Sequence, residues 1–136
     1  MKKVGLIRIA KFNAAHKLWN AAWTVEKNKE IFGLCANENY HGHNYVLEVK
    51  VIGTIDATTG YVIDLKTIKQ IINETVMEKF DHRNLNLDTE EFKNLNPTVE
   101  NIIVVIYDMI KAKLPKDLEL HLKLWETENN IAEYPV

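Results

Sequence analysis

The sequence predicts an α+β fold: a four-stranded antiparallel sheet with two helices on one face. Three observations predict it. The elements run strand, strand, helix, helix, strand, strand, an order that suits an antiparallel sheet. Residues 44–53 and 118–125 alternate apolar and polar side chains, the period of a half-buried strand. Two longer segments repeat apolar residues at helical spacing, each with a single stripe, so both helices can cover the same face.

The elements follow in order. Residues 4–12 are rich in β-formers and read as a strand leading to His16. Residues 17–34 form a long irregular segment with Trp19 and Trp23 and room for a short helix around 24–31. A connection this long inside a compact domain is usually functional. In the second strand Tyr45, Leu47, Val49 and Val51 share one face, with Val46, Glu48, Lys50 and Ile52 on the other. Gly53 to Gly60 is turn chemistry, and after a short extended piece Asp64 can cap a helix. That helix carries Leu65, Ile68, Ile71, Ile72 and Val76 and ends near Phe80, with Asp81-His82-Arg83-Asn84 as a loop. The second helix starts at Pro97-Thr98, with Thr98 capping it or Pro97 in its first turn. Its stripe is Val99, Ile102, Ile103, Ile106 and Ile110, and Pro115 closes it. Leu118, Leu120, Leu122 and Leu124 mark the third strand. Glu126 to Asn130 is a turn, and residues 131–134 return as a hairpin partner.

Ile7, Ile9, Val46 and Ile52 make the helix-free face too apolar for open solvent, and four strands leave two edges unpaired. Association through those edges is therefore expected. The 136 residues suffice for one domain with a real core, spanning 1–136. A net charge of −2 gives no general attraction to nucleic acid or anionic membranes. No stretch approaches the ~20 apolar residues of a membrane helix, and Arg8 and Lys11 break the only segment resembling a signal peptide. The single cysteine, Cys35, cannot form an internal disulfide, which fits a reducing, cytoplasmic setting.

The chemistry concentrates between Cys35 and Tyr45. His41 and His43 are two residues apart, so an extended chain points both imidazoles to one face, and Gly42 between them leaves the backbone approachable. His16 stands upstream. Three neutral nitrogens with an open fourth position are the makings of a catalytic zinc site, and iron or nickel also suit imidazoles. Histidines satisfied by ordinary hydrogen bonds fit the same spacing. Cys35 alone reads as a small buried hydrophobe, Glu126 as one exposed carboxylate among many, and Asp81-His82 as a turn with solvated charges.

Six segments, in order, resemble the 6-pyruvoyl-tetrahydropterin synthase family. They are Phe12-Asn13-Ala14-Ala15-His16; Cys35 followed by His41-Gly42-His43-Asn44-Tyr45; Gly60 to Leu65; Asp81-His82-Arg83-Asn84-Leu85; Pro97-Thr98-Val99-Glu100-Asn101; and Glu126-Thr127-Glu128-Asn129-Asn130. The resemblance implies a tunnelling fold: sheets of three subunits close into a barrel, and two barrels stack as a hexamer. It implies zinc on His16, His41 and His43. Cys35 would be the proton-abstracting base, with Asp81 and His82 handling protons from a neighbouring subunit. Glu126 would anchor the pterin edge through a bidentate contact, helped by Thr98 and Glu100.

The implied reaction is a lyase acting on 7,8-dihydroneopterin triphosphate to give 6-pyruvoyl-tetrahydropterin and triphosphate. Lys17, Lys27, Lys29 and Arg83 are candidate triphosphate contacts. A related branch, 6-carboxytetrahydropterin synthase of queuosine and deazaguanine biosynthesis, takes the same substrate and releases acetaldehyde. That branch commonly has a shorter spacer between the cysteine and His-Gly-His, so the five residues here match the pyruvoyl branch, although Glu38 and Tyr40 depart from it. Two rivals stand beside these readings. One is a non-catalytic metal- or pterin-binding scaffold, against which Cys35, His82 and Glu126 all speak. The other is a dihydroneopterin aldolase using a glutamate, for which Glu38 is the only candidate in this loop.

Overall fold

A computed structural model describes residues 2–136 and shows an α+β architecture built on one sheet of five strands, one more than the sequence predicts. The strands are β1 (Lys3–His16), β2 (His41–Thr54), β3 (Arg83–Asn84), β4 (Glu119–Thr127) and β5 (Asn130–Tyr134), in spatial order β3-β1-β2-β4-β5. The additional strand, β3, lies parallel to β1, with Ala14 beside Arg83 and Ala15 beside Asn84. It is only two residues long, and what the sequence reads as a plain loop becomes a strand through its bonds to β1. The other pairings are antiparallel, as expected.

Both long strands reach further than their β-formers suggest. Residues Asn13 to His16 pair with His41 to Asn44 in the β1–β2 ladder, so His16 faces His41 directly. Tertiary pairing overrides the weak strand propensity of Asn-Ala-Ala-His. The alternation then sorts each strand. Phe12, Ala14 and His16, together with Tyr45, Leu47, Val49 and Val51 and with Leu120, Leu122 and Leu124, are buried on one face. Gly53 sits among them because a Cβ there would come within 2.5 Å of Leu118. On the opposite face Ile7 and Ile9 stay 49% and 46% exposed, the apolar surface that the sequence makes too greasy for water.

Helices α1 (Val25–Phe32), α2 (Leu65–Ile72), α3 (Glu78–Phe80), α4 (Leu85–Asp88) and α5 (Val99–Lys113) complete the chain. Asp64 caps α2 as expected, its carboxylate accepting from Lys66 N–H. The helix expected to run unbroken to Phe80 passes through a π-helical turn, Asn73–Met77, before α3. There the buried Thr75 hydroxyl donates to the Ile71 carbonyl at 2.6 Å, drawing that acceptor away from the backbone ladder. Thr98, not Pro97, caps α5, accepting from Asn101 N–H at 3.1 Å. Ile102, Ile103, Ile106 and Ile110 of α5 join Ile68, Ile71, Ile72 and Val76 in one core against the sheet. Fully burying such a side chain is worth about 1.5–3 kcal/mol, so this face is what holds the layers together. No helix among the described residues is long and apolar enough to cross a membrane.

Candidate metal centre and substrate cleft

The core face of the sheet ends, beyond Phe12 and Tyr45, in three histidines. His16 and His41 are directly opposed across β1 and β2, and His43 follows two residues on, on the same face. Their ring centroids are 4.6 Å (His16–His41), 5.1 Å (His16–His43) and 5.0 Å (His41–His43) apart. One nitrogen from each lies within 4.8 Å of the others, a spacing that can hold one metal ion. The His-x-His pair thus works as the sequence suggests, while His16 joins it only because the β1–β2 ladder runs to its last pair.

The donor set fits a metal. His16 is 1% exposed, and its Nδ1 lies 2.7 Å from the Pro97 carbonyl oxygen, so Nδ1 carries the proton and donates there. That fixes the tautomer and turns the Nε2 lone pair inward, the outer support typical of a metal-bound imidazole. The Nε2 atoms of both His16 and His43 are buried without a hydrogen-bond partner. Burial pushes His16 down to about 4, the Pro97 contact opposing it and the neighbouring histidines adding to it. Burial also lowers His43, against the pull of Glu126. Both rings are therefore neutral donors near neutral pH, as metal ligation requires. Satisfied core histidines would not leave two buried nitrogens orphaned together.

Glu126 approaches this cluster from β4. The register between β4 and β5 shifts between Trp125 and Thr127, leaving Glu126 as the extra residue of a β-bulge. Bulges re-aim a side chain, and here the carboxylate comes to 3.9 Å from His16 Nε2. Glu126 also lines an open cleft of about 590 Å³ with Val99, Glu100 and Asn130. This is a suitable size for a small heterocycle. Glu100, in the first turn of α5, is therefore brought to the Glu126 cleft, whereas the Thr98 hydroxyl is occupied in capping.

Cys35 lies on a single 3-10 turn, Gly33–Ala36, and is partly buried and free. Its carbonyl accepts from Leu18 N–H at 2.7 Å, which ties the Cys35 turn to the chain just leaving His16. The expected helix in this segment is present as α1, capped by Thr24. Asp81 and His82 sit elsewhere, on the outer side of β1. Asp81 Oδ1 accepts from Asn13 N–H at 2.9 Å and lies 3.0 Å from His82 Nδ1, while His82 N–H donates to the Asn13 carbonyl at 2.6 Å. The Asn13 bond holds the Asp81 carboxyl below its ordinary value, with His82 contributing further. His82 has φ +60°, a left-handed conformation costly for a residue with a side chain, and its imidazole is 81% exposed.

The candidate cations separate. Lys17 Nζ lies 5.4 Å from the Trp19 ring centre and 5.0 Å from that of Tyr40, and Lys17 lines a cavity of about 540 Å³ with Lys93. Lys27 instead stands over Trp23 at 4.5 Å. Lys29 is on the exposed side of α1 and Arg83 is on β3. Within the chain, a Cβ at Gly42 would meet only the Ala14 carbonyl, at 3.5 Å, an ordinary contact. Sequence reasoning passed over the Pro97 carbonyl and the bulge at Glu126, because backbone acceptors and bulges leave no residue-type signal. Tyr45 was legible only as a core residue.

The chain is similar to known proteins along nearly its whole length. The model of the family described as 6-pyruvoyl tetrahydropterin synthase matches residues 6–135. A 6-pyruvoyl tetrahydrobiopterin synthase of Pongo abelii is 41% identical over 123 residues, covering 90% of this chain and 85% of that one. The solved structure of Caenorhabditis elegans 6-pyruvoyl tetrahydropterin synthase superposes with a TM-score of 0.94 at 38% identity, covering 100% of this chain and 97% of that one. Relatives under other names also match. A dihydroneopterin monophosphate aldolase of Pyrococcus furiosus is 38% identical over 91% of this chain and 90% of its own length. A 6-carboxy-5,6,7,8-tetrahydropterin synthase of Rickettsia typhi is 32% identical over 68% of this chain and 80% of its own length.

Proposed function

The chain belongs to the 6-pyruvoyl tetrahydropterin synthase family, and on that premise we propose that it is a zinc-dependent lyase. It converts 7,8-dihydroneopterin triphosphate to 6-pyruvoyl-tetrahydropterin with release of triphosphate. The observation that carries this reading is the pair of orphaned imidazole nitrogens, on His16 and His43, facing a carboxylate set on a bulge. A metal held by His16, His41 and His43 would act as a Lewis acid toward oxygens on the substrate side chain.

The protein's own groups then have distinct tasks. Glu126 accepts two parallel N–H bonds from the 2-amino-pyrimidinone edge, which sets the ring's register, and Glu100 lines the same cleft. Thr98 belongs to this end of the site through its place at the start of α5. Cys35 removes a carbon-bound proton of the side chain and does not form a covalent bond with substrate. Asp81 Oδ1, 3.0 Å from His82 Nδ1, orients the imidazole, and the pair returns protons as the side chain tautomerises. Elimination of triphosphate and internal rearrangement balance without an external oxidant or reductant. Lys17, adjacent to His16 and lining a cavity without acidic groups, is the best-placed cation for the phosphates.

Asp81 and His82 lie along the outer edge of β1, just before β3, with the imidazole in solvent. This favours a homo-oligomer, a hexamer of two stacked trimeric barrels, in which the pair reaches Cys35 of a neighbouring subunit. The exposed Ile7 and Ile9 support the same assembly. We place the protein, as a single catalytic domain, in the cytoplasm, where its free thiol is kept reduced. Incubation of the zinc-loaded protein with dihydroneopterin triphosphate, read by mass spectrometry, tests the reading. A pyruvoylpterin with triphosphate is expected. A carboxypterin with acetaldehyde would move the protein to the deazaguanine route, and no triphosphate release would overturn the proposal.

A further inference from the structure

One buried group next to the site has no task in the reaction above. Tyr45 is fully buried, and its hydroxyl has no hydrogen-bond partner. An unsatisfied buried hydroxyl is destabilising, so its retention calls for an acceptor. The ring is not free to search for one. It stacks on Phe12 at 4.8 Å and 8°, with the His43 ring edge-on at 5.6 Å and the His16 ring at 6.3 Å. The hydroxyl is thus fixed at the inner boundary of the histidine cluster.

The available acceptors are few. The Nε2 lone pairs of His16 and His43 face the space where a metal would sit. Glu126 remains. The β2–β4 ladder ends at Val46 opposite Trp125, so the next residue on each strand is Tyr45 and Glu126, both turned to the core face. A phenol O–H donates and a carboxylate oxygen accepts, so the two groups are complementary partners at this register. Among the described residues the Glu126 carboxylate makes no side-chain hydrogen bond, the bulge leaves it out of the strand ladder, and His16 Nε2 lies 3.9 Å away.

We infer that the Tyr45 hydroxyl donates a hydrogen bond to the Glu126 carboxylate in the loaded site, and so positions that carboxylate to read the amino group of the bound heterocycle. The inference rests on the pterin reading and deepens it. Tyr45 is a positioning residue: it acts on substrate through Glu126. The geometry implies selectivity. One Glu126 oxygen, held by the phenol, keeps both lone-pair directions aligned with a 2-amino, ring-N–H edge, and a 2-oxo edge does not match them.

The test compares binding of a non-reacting pterin, neopterin, with that of the corresponding lumazine, which carries oxo in place of the 2-amino group. Zinc-loaded wild type, Tyr45→Phe, Glu126→Gln and the double variant are titrated by fluorescence, with zinc content measured in each. Tyr45→Phe keeps the ring and its stacking, so the fold is retained. Wild type should prefer the pterin, and Tyr45→Phe should lose about tenfold on the pterin and little on the lumazine, with full zinc content. In the Glu126→Gln background Tyr45→Phe should add little, because the two act as one unit. Equal losses on both ligands, lowered zinc content, or full additivity would overturn the inference. A wild type that binds neither ligand would sink the pterin reading itself, and the inference with it.

Discussion

Acidifying the metal-free protein should expose the His16 site as a stability defect. His16 is pushed from 6.5 to about 4 in the folded state, first by burial. Between those values the unfolded chain binds a proton that the native state refuses, so stability falls as pH falls. At about 1.4 kcal/mol per pH unit the single site removes roughly 3 kcal/mol between pH 7 and pH 4. His43, lowered for the same first reason, acts in the same direction. For a chain of 136 residues this corresponds to a drop in Tm of roughly 10 °C. The carboxylates held low, Asp81 foremost among those near the site, lose their contribution only as pH falls further, through their depressed folded values. The assay is urea or thermal unfolding at pH 7, 5.5 and 4.5 on chelated wild type and on His16→Gln, which has no imidazole to titrate. The wild-type curve should fall more steeply than the variant's, whose remaining slope is that of His43. Parallel curves would refute the claim that a neutral, desolvated imidazole is built into this sheet end.

Other outcomes follow from the same geometry. Glu126→Gln should raise KM for the pterin substrate by roughly 10–100-fold, the worth of a hydrogen bond to a charged group, and leave metal content unchanged. Cys35→Ala should lower kcat by about 10²–10⁴ with zinc and pterin binding intact, as loss of a general base requires. Mixed oligomers of inactive Cys35→Ala and His82→Ala chains should regain activity if each site draws on two subunits, and silent mixtures would place both groups in one chain. Leu122→Ala, at 2% exposure beneath α5, should cost about 2–5 kcal/mol in denaturant unfolding.

Much of this was legible in the sequence. Period-two alternation gave the faces of β2 and β4, and the Ile stripes gave α2 and α5, because burial imposes those periods on residue type. The His-x-His pair was legible for the same reason, since a strand turns alternate residues one way. What escaped was set by partners distant in sequence. Residues 13–16 are strand because residues 41–44 lie beside them, and β3 exists because Arg83 and Asn84 pair with Ala14 and Ala15 of β1. The bulge at Glu126 and the π turn at Thr75 rearrange backbone bonds without changing hydrophobic pattern. For the proposed site, the ordered motifs pointed to Cys35, Asp81, His82, Thr98, Glu100 and Glu126. The Pro97 carbonyl and the Tyr45 hydroxyl carried no signal, because one is backbone and the other looks like core.

The proposed function divides the labour at the end of the sheet: His16, His41 and His43 hold the metal, and Cys35 stays free of it. X-ray absorption of the zinc-loaded protein separates the two roles. Three imidazole nitrogens and an oxygen at about 2.0–2.1 Å, with no sulfur, are expected. A sulfur scatterer at about 2.3 Å would put Cys35 on the metal and contradict that division.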